Sequence, residues 1–247
     1  MRASVCMATY NGEKYLKEQI ESILCQLNEN DELIISDDNS TDNTTSIIQK
    51  FNDPRIKLIH NKRHGFVSNF ENALKHATGE YIFLSDQDDI WENGKINKCI
   101  QLLQDNIMII HDAKIIDQYG CFHGKKYFST LHHHSSFFFN LYKTRFLGCC
   151  MAFKKEILQE CLPFPDKIVA HDYWLGMYTL FTYPKSVLFL DCTLIQYRRH
   201  GNNVSSSSEK SRHNLFFKLI TKRFNIICNI IKRSITLRFN HKEKCSK

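Results

Sequence analysis

The chain has 247 residues, 43% of them hydrophobic and 24% charged, with 9 glycines and 4 prolines. This composition is typical of one globular domain with or without an appendage, and it excludes collagen-like, low-complexity and wholly disordered chains. The net charge is +7, and eleven of the basic residues lie in 209–247 beside two acidic ones. The rest of the chain therefore offers no basic groove, and we expect no nucleic-acid partner.

The first 111 residues alternate between short apolar runs and segments with helical periodicity. Strands are predicted at 5–8, 33–36, 56–59, 81–85 and 107–111, and helices at 16–27, 44–51, 66–76 and 95–103. This alternation predicts an α/β fold with a Rossmann-like, mostly parallel sheet flanked by helices. Because open sheets of this kind bind ligands at the carboxyl ends of their strands, we expect the site in the loops that follow them.

The second half is less regular. A strand is predicted at 149–153 and a helix at 171–181, and the polar run 205–208 predicts a linker. No apolar run approaches the roughly 20 residues of a bilayer-spanning helix, and the N-terminus lacks the apolar core of a secretion signal. The ten cysteines show no zinc-like paired spacing. We therefore expect a cytoplasmic protein with reduced thiols.

The strongest local signal is the run 85–91, S-D-Q-D-D-I-W, which places three carboxylates within four residues at the end of an apolar strand. Such charge density is typical of a site for a hard divalent cation that also binds phosphate oxygens. Taken alone, the run is also compatible with a solvated acidic turn or a helix cap.

Two other strand-ending loops carry polar side chains. The run 36–42, S-D-D-N-S-T-D, supplies carboxylates that can bond a nucleobase or ribose, and ordinary capping of the next helix explains it equally well. In the run 8–12, A-T-Y-N-G, Gly12 permits a tight turn and Tyr10 can stack on a base. A bare strand-to-helix connection is the alternative there.

Together these three segments resemble, in order and spacing, the donor-binding half of family 2 inverting glycosyltransferases, which have the GT-A fold. Weaker matches at 146–153, 171–174 and 197–204 extend the resemblance over about residues 3–204. It implies a GT-A domain at 1–208, with a donor half at about 1–112 and an acceptor half at 113–208. The S-D-Q-D-D-I-W form is most similar to bacterial rhamnosyltransferases of surface polysaccharide synthesis.

The resemblance implies a metal-dependent inverting enzyme that uses Mn²⁺ or Mg²⁺. It would move a sugar, rhamnose in the first instance, from a nucleotide-diphosphate donor to a saccharide or lipid-linked saccharide acceptor of a capsule or O-antigen. A UDP-hexose or UDP-N-acetylhexosamine donor is the alternative within the family. Inversion needs a base on the acceptor hydroxyl and a cation on the departing diphosphate.

The resemblance also assigns roles to individual residues. Asp172 matches the catalytic base, and His171 stands where an acidic residue often precedes that base. The metal ligands implied are Asp86 and Asp88 of the D-x-D motif and His200. The donor-binding residues implied are Ala8, Thr9, Tyr10, Asn11, Asp37, Asp38, Asp86, Gln87, Asp88, Arg199 and His200.

The segment 209–247 predicts a basic amphipathic helical tail. Its apolar stripe contains Phe216, Leu219, Ile220, Ile227, Ile230 and Ile231. Such a helix can lie in the headgroup region of an anionic membrane, which would attach the protein peripherally to the inner face of the cell membrane. The stripe is nearly as compatible with docking against the domain itself.

Two functions from other classes compete with glycosyl transfer. A nucleotidyltransferase also uses carboxylates and a divalent ion, but the sequence has no glycine-rich, basic phosphate loop near its N-terminus. A non-catalytic saccharide- or membrane-binding module of the same fold would not depend on Asp172.

The run His132–His134 is not expected to bind metal, because adjacent side chains point in different directions.

Overall fold

The computed structural model of the chain describes residues 2–128, 136–201 and 223–237. The predicted linker at 205–208, most of the predicted tail and the run His132–His134 lie outside these residues. The strands are β1 (Ala3–Thr9), β2 (Glu32–Asp37), β3 (Ile56–His60), β4 (Tyr81–Ser85), β5 (Ile90–Trp91), β6 (Met108–Ile116), β7 (Phe122–Lys126), β8 (Met151–Lys154) and β9 (Val187–Arg198). The helices are α1 (Leu16–Leu24), α2 (Thr44–Lys50), α3 (Phe66–Lys75), α4 (Lys95–Leu103), α5 (Phe137–Tyr142), α6 (Glu156–Cys161), α7 (His171–Thr182) and α8 (223–237).

These strands form a single sheet in the order β3-β2-β1-β4-β8-β6-β9-β5, with β7 paired to β6. β3, β2, β1 and β4 are mutually parallel, as predicted for the first half. β8 then lies antiparallel between β4 and β6, and β9 runs parallel to β6. The second half is therefore mixed, which the sequence did not reveal because buried strands of either direction are apolar throughout.

The order of the strands sets the position of the site. β2 and β4 pair with opposite sides of β1, so the direction of winding reverses between β1 and β4. In the register, Thr9 is opposite Asp37 and Met7 is opposite Ser85. The loops after β1, β2 and β4 therefore meet at one edge of the sheet, at the switch point where α/β sheets bind ligands.

The core lies on both faces of the sheet. Alternate residues of β1 point to opposite sides, with Val5 and Met7 packed in one apolar cluster and Cys6 in the other. Helices α1, α2 and α4 cover the first face, and α3, α6, α7 and α8 cover the second. The sheet that supports the site is thus covered by helices on both faces.

Most predicted elements are confirmed, with shifted ends. α1 ends at Leu24 instead of Leu27, although Leu27 is still buried. β8 begins at Met151, because residues 148–150 form a 3-10 turn where a strand was predicted. β5, β7, β9, α5 and α6 were not predicted. Of the proposed α2 capping cluster, Asp42 accepts the Thr44 amide, whereas Ser40 bonds elsewhere.

The described part of the tail docks on the domain. Ile226 and Ile230 of α8 are 3% and 1% exposed and pack in the same cluster as α7. The docking alternative is therefore confirmed for these residues. Ile230 belongs to the stripe that was predicted to face a membrane, but it faces the domain instead. None of the helices in the described ranges is long and apolar enough to span a bilayer.

Candidate active site

The turn after β1 is fastened to the loop after β4 by Tyr10 and Gln87. The Tyr10 N–H donates to Gln87 Oε1 at 2.8 Å, and Gln87 Nε2 donates back to the Tyr10 carbonyl at 3.1 Å. A Cβ at Gly12 would lie 2.4 Å from the same Oε1, so a side chain there would displace the Gln87 amide from these bonds. The Gln87 side-chain amide thus binds the backbone of Tyr10. The Tyr10 ring itself is 56% exposed at the switch point.

The loops after β1 and β2 are joined by a second set of bonds. Asp37 accepts from Thr9 Oγ1 at 3.1 Å and from the Ser40 amide at 2.9 Å. The Asn11 N–H donates to Ser40 Oγ at 2.9 Å, and Asn11 Oδ1 accepts the Thr41 amide at 2.8 Å. These bonds use polar atoms of Thr9, Asn11 and Asp37, and they shape the turn. All three residues were predicted to bind the donor.

Asp38 lies at the rim of the same edge. Its carboxylate accepts from Asn61 Nδ2 and from the Gly65 amide, both at 2.8 Å. The side chain is 12% exposed, and His64 Nδ1 lies 3.6 Å from Oδ1. Ala8, near the end of β1, is partly buried. Asp38 and the Tyr10 ring thus present a carboxylate and an aromatic face on adjacent loops.

The loop after β4 meets the end of β9 through Asp88 and His200. His200 Nε2 lies 2.7 Å from Asp88 Oδ2, and the two side chains are 13% and 14% exposed. The His200 ring stacks on Tyr15 with the centroids 5.1 Å apart. β5 brings the two segments together, since Ile90 pairs with Gln196 of β9.

Arg198, which the sequence did not single out over its neighbour, anchors this loop. Its Nε donates to the Asp88 carbonyl at 2.8 Å, its amide to Asp89 Oδ1 at 2.9 Å, and its Nη2 to Glu18 at 2.6 Å. The guanidinium also lies over the Tyr15 ring. Arg198 therefore fixes the backbone that carries Asp88.

Arg199, the arginine predicted to bind donor, is exposed. Its guanidinium lies 5.9 Å from the centre of the Tyr197 ring, and its amide donates to the Ile116 carbonyl. β9 ends at Arg198, whose side chain turns toward the Asp88 loop, whereas the Arg199 side chain lies beside Tyr197.

A buried polar layer lies beneath the acidic loop. Ligand-type atoms of Asp86, Asp89 and Cys149 lie within 4.8 Å of one another. Burial, followed by the charges of Asp88 and Asp86, raises the pKa of Asp89 well above its usual value. Lys95 is fully buried, and its Nζ donates to the Cys149 carbonyl at 2.8 Å. This lysine places a positive charge behind the carboxylates.

Asp172 stands in the first turn of α7 and faces the acidic loop. Its carboxylate accepts from the amides of Tyr173, at 2.7 Å, and Gly148. Burial raises the pKa of Asp172 to about 6. Burial, with the charges of Asp88 and Asp172, also raises the pKa of Asp86 to about 7. The electrostatic interaction between Asp86 and Asp172 places them on one site.

His171, beside Asp172, is buried and uncharged at neutral pH. It is 5% exposed and stacks on Phe70 with the ring centroids 3.7 Å apart. Burial lowers the pKa of His171 to about 3. A neutral ring adds no charge beside Asp172, whereas an acidic residue at this position would.

A sequence profile described as glycosyl transferase family 2 matches residues 4–162. The chain belongs to glycosyl transferase family 2. It is 32% identical to the dTDP-rhamnosyl transferase RfbG of Shigella flexneri over 90% of this chain and 79% of that protein. It is 27% identical to WfgD of Escherichia coli, a UDP-Glc:alpha-D-GlcNAc-diphosphoundecaprenol beta-1,3-glucosyltransferase, over 94% of this chain and 87% of that protein.

Solved structures confirm the predicted GT-A fold of this family 2 glycosyltransferase. Staphylococcus aureus TarS 1-349 in complex with UDP has a TM-score of 0.66 and 20% identity, and the match covers 93% of this chain and 66% of that one. The mannosyltransferase PcManGT of Pyrobaculum calidifontis, in complex with GDP-Man and Mn²⁺, has a TM-score of 0.60 and 18% identity over 92% and 64% of the two chains. The present chain thus spans about two thirds of either structure.

The side chains of this family 2 enzyme fit a hard divalent ion. Asp88 supplies a carboxylate oxygen, the donor type that Mg²⁺ and Mn²⁺ take, and His200 Nε2, 2.7 Å from it, is a nitrogen donor of the type that transition metals such as Mn²⁺ accept. The group of Asp86, Asp89 and Cys149 fits less well. Burial raises the pKa of the Cys149 thiol, so it stays protonated, and Asp89 is engaged by the Arg198 amide.

Proposed function

We propose that this family 2 glycosyltransferase transfers a sugar, with inversion, from a nucleoside-diphosphate donor to a saccharide acceptor in bacterial surface polysaccharide synthesis. The observation that carries the proposal is the pairing of Asp88 with His200 on the same edge as Asp172, a carboxylate of raised pKa. One end of the site offers cation ligands, and the other offers a base.

Asp88 and His200 would hold the divalent ion, with Asp86 beside them. When bound, the ion neutralises the diphosphate that leaves the sugar. Tyr10 stacks on the nucleobase and Asp38 accepts hydrogen bonds from it, because the exposed ring and the rim carboxylate lie on adjacent loops at the switch point.

Asp172 acts as the general base on the acceptor hydroxyl. A carboxylate whose pKa is about 6 is ionised at neutral pH, and it is more basic than an ordinary aspartate. The Gly148 and Tyr173 amides orient it. Arg198 is a positioning residue, since its bonds reach the Asp88 carbonyl and the Asp89 carboxylate.

The donor proposed is dTDP-rhamnose, supported by the 32% identity to RfbG over most of both chains. A UDP-hexose is the alternative, and it is supported by the glucosyltransferases WfgD and WfaP, which are 27% and 29% identical to this chain. WfgD and WfaP both use alpha-D-GlcNAc-diphosphoundecaprenol, which also supports a lipid-linked saccharide acceptor. Because such acceptors lie at a membrane, we include attachment of the basic tail, 209–247, to an anionic membrane surface.

Thermal unfolding with dTDP, UDP, GDP and CMP, each with and without Mn²⁺, tests the donor site. A ligand that binds only the native state raises the melting temperature. A metal-dependent rise with dTDP supports the rhamnosyl donor, and a rise with UDP supports the hexosyl donor. If none of the four nucleotides raises the melting temperature, the proposed function is contradicted.

The Asp172→Asn variant separates an enzyme from a binding module. If Asp172 is the base, the variant keeps the nucleotide-dependent rise in melting temperature and loses sugar transfer to an acceptor extract. Transfer at the wild-type rate would contradict the assignment of Asp172.

A further inference from the structure

Three helices expose large apolar side chains outside the active site. α5 contacts α7 through Phe137 and Phe181, whose ring centroids are 5.6 Å apart. α5 also contacts α8, since Arg223 Nη2 donates to the Tyr142 carbonyl at 2.6 Å and the guanidinium lies over the Tyr142 ring. Together they form what we call the α5–α8 patch. Its members are Phe138 (79% exposed), Tyr142 (73%), Phe224 (66%), Ile235 (49%), Phe181 (47%) and Ile231 (47%).

The spacing of these residues aligns them on helix faces. Phe138 and Tyr142 are four residues apart on α5, and Phe224, Ile231 and Ile235 repeat on one face of α8. The opposite face of α8 is the one that packs on the core. α8 is thus apolar on two sides, one covered by the domain and one exposed. Around the contact of Arg223 with Tyr142, the side chains of Phe224, Tyr142 and Phe138 are exposed together, and an exposed apolar surface of this kind marks an interaction site.

The patch has no acidic side chain of its own, because the one carboxylate of its three helices, Asp172 in the first turn of α7, faces the active site. Residues 136–145, 173–190 and 223–237 contain no aspartate or glutamate. Lys143, Lys185 and Lys232 are exposed within them. On the neighbouring helix α6, Glu160 accepts the hydroxyls of Tyr178 and Tyr183, and Glu156 interacts electrostatically with Tyr183. Exposed aromatic side chains with a one-sided positive charge suit the headgroup region of an anionic bilayer.

We infer that the α5–α8 patch is the membrane-contacting surface of the protein and that Phe138, Tyr142 and Phe224 enter the headgroup region of an anionic bilayer. The inference refines the attachment included in the proposed function and rests on it. It moves the contact from the predicted stripe, of which Ile230 is buried, to the exposed faces of α5 and α8. A second copy of the chain is the less suitable occupant, because a two-fold contact would bring the same lysines together with no acidic partners.

Substitution tests this surface better than truncation does. Removal of residues 209–247 would uncover the apolar core that Ile226 and Ile230 fill. A truncated chain would therefore change its solubility for reasons unrelated to membranes. Exposed side chains of the patch can be replaced without opening the core.

A fluorescence experiment on the full chain detects insertion directly. The chain has two tryptophans, Trp91 and Trp174, and they are 3% and 0% exposed, so their emission is a constant background. In the Phe138→Trp variant, vesicles of phosphatidylcholine and phosphatidylglycerol should shift the emission to the blue, and brominated lipid should quench it. The matched Tyr119→Trp variant, at a site 80% exposed in the β6–β7 turn, should show neither effect.

Vesicle pelleting measures how much the patch contributes. The double variant Phe138→Ser/Phe224→Ser should lose about tenfold or more of its binding, because apolar burial and lipid charge both contribute to interfacial binding. The control Tyr119→Ser/Phe122→Ser, on the β6–β7 hairpin, should bind like the wild type. Lys143→Glu/Lys232→Glu should lose binding to anionic vesicles.

Two results would overturn the inference. One is wild-type pelleting by both patch variants. The other is a dimer in solution that the patch substitutions dissociate, which would make the patch a contact between copies. Nucleotide-dependent melting of the same variants reports the donor site separately. If wild type binds vesicles but no nucleotide raises its melting temperature, the proposed function fails while the patch stands.

Discussion

His200 Nε2 lies 2.7 Å from Asp88 Oδ2, although 112 residues separate the two in the chain. The contact exists because β9 pairs with β5, the short strand that follows Asp88. Arg198, two residues before His200, bonds the Asp88 carbonyl and so fixes the same junction. A strand from the second half of the chain thus completes a site whose loops come from the first half.

Removal of either partner should abolish the effect of the metal. In Asp88→Asn and His200→Gln, we expect the Mn²⁺-dependent part of the nucleotide-induced rise in melting temperature to disappear, because stabilisation by a ligand depends on its affinity. Differential scanning fluorimetry with a titration of Mn²⁺ measures it.

The chain contains a matched control for this pair. His123 Nε2 lies 2.9 Å from Asp117 Oδ2 in the β6–β7 hairpin, and the His123 side chain is 66% exposed. Asp117→Asn and His123→Gln should leave the Mn²⁺ titration unchanged. An unaltered Mn²⁺ response in Asp88→Asn would remove Asp88 from the metal site.

Sugar transfer should depend on the ionisation of Asp172. Burial raises the pKa of Asp172 to about 6, and a general base must be deprotonated to accept a proton. Activity should therefore approach its maximum about one pH unit above this value and fall about tenfold for each pH unit below it. Asp86 and Tyr127 interact electrostatically with Asp172, and His171 stays neutral across this range. The pH profile of kcat/KM measures the effect.

The control for Asp172 is Asp166, an exposed aspartate that precedes α7. Asp166→Asn should keep both the rate and the acidic limb of the profile. Should Asp172→Asn retain measurable transfer with the same acidic limb, another group would be the base.

The Gln87 bridge should matter for donor affinity. Gln87→Ala removes two hydrogen bonds to the Tyr10 backbone, each worth about 1 kcal/mol. The turn that presents the Tyr10 ring is then loosened, and nucleotide affinity should fall by about tenfold. Isothermal titration with the nucleotide that stabilises the wild type measures it.

Gln101→Ala is the matched control, because Gln101 is exposed on α4 and lies outside the strand-ending loops. It should bind nucleotide with wild-type affinity. If Gln87→Ala also binds with wild-type affinity, the turn after β1 keeps its shape without the bridge.

Hydrophobic periodicity predicted the first half of the fold well. Leu16, Ile20 and Ile23 are all fully buried on one face of α1, as their spacing requires. The same reasoning did not detect β5, because two residues, Ile90 and Trp91, carry no period. It did not predict β9 either, although β9 is twelve residues long, because only some of its residues are buried.

The sequence predicted the site residues that belong to short motifs of neighbouring residues. Asp86 and Asp88 come from a motif within one loop and Asp172 from the family resemblance, and the structure brings Asp86 and Asp172 close enough to shift a pKa. Lys95 was not predicted, since its burial against the Cys149 carbonyl depends on packing between α4 and the 3-10 turn. Arg198 and Arg199 are adjacent and chemically alike, and only the folded position of the Asp88 loop, which Arg198 bonds, separates their roles.

Glu32, at the start of β2, is a buried carboxylate that joins three parts of the chain. Its side chain is 1% exposed and accepts from Ser4 Oγ at 2.5 Å, from the Thr78 amide at 2.7 Å and from Lys57 Nζ at 2.6 Å. Burial alone would raise the pKa of Glu32, but the hydrogen bonds from Lys57, Ser4 and Thr78 outweigh burial and lower the pKa to about 2. The ionised form therefore stabilises the fold above the ordinary pKa of 4.5, and this stabilisation is lost as the pH falls toward 2.

Glu32→Gln should lower the free energy of unfolding at neutral pH by about 3 kcal/mol, because a buried amide nitrogen then faces the Ser4 and Thr78 donors. The difference from wild type should shrink between pH 4.5 and about 2, where the wild-type carboxylate itself gains a proton. Urea unfolding at neutral and acidic pH measures both effects. Glu21→Gln is the control, since Glu21 is 56% exposed and its contact with Lys17 at 3.7 Å contributes less than about 0.5 kcal/mol. An equal difference at both pH values would show that Glu32 stabilises through packing and not through its charge.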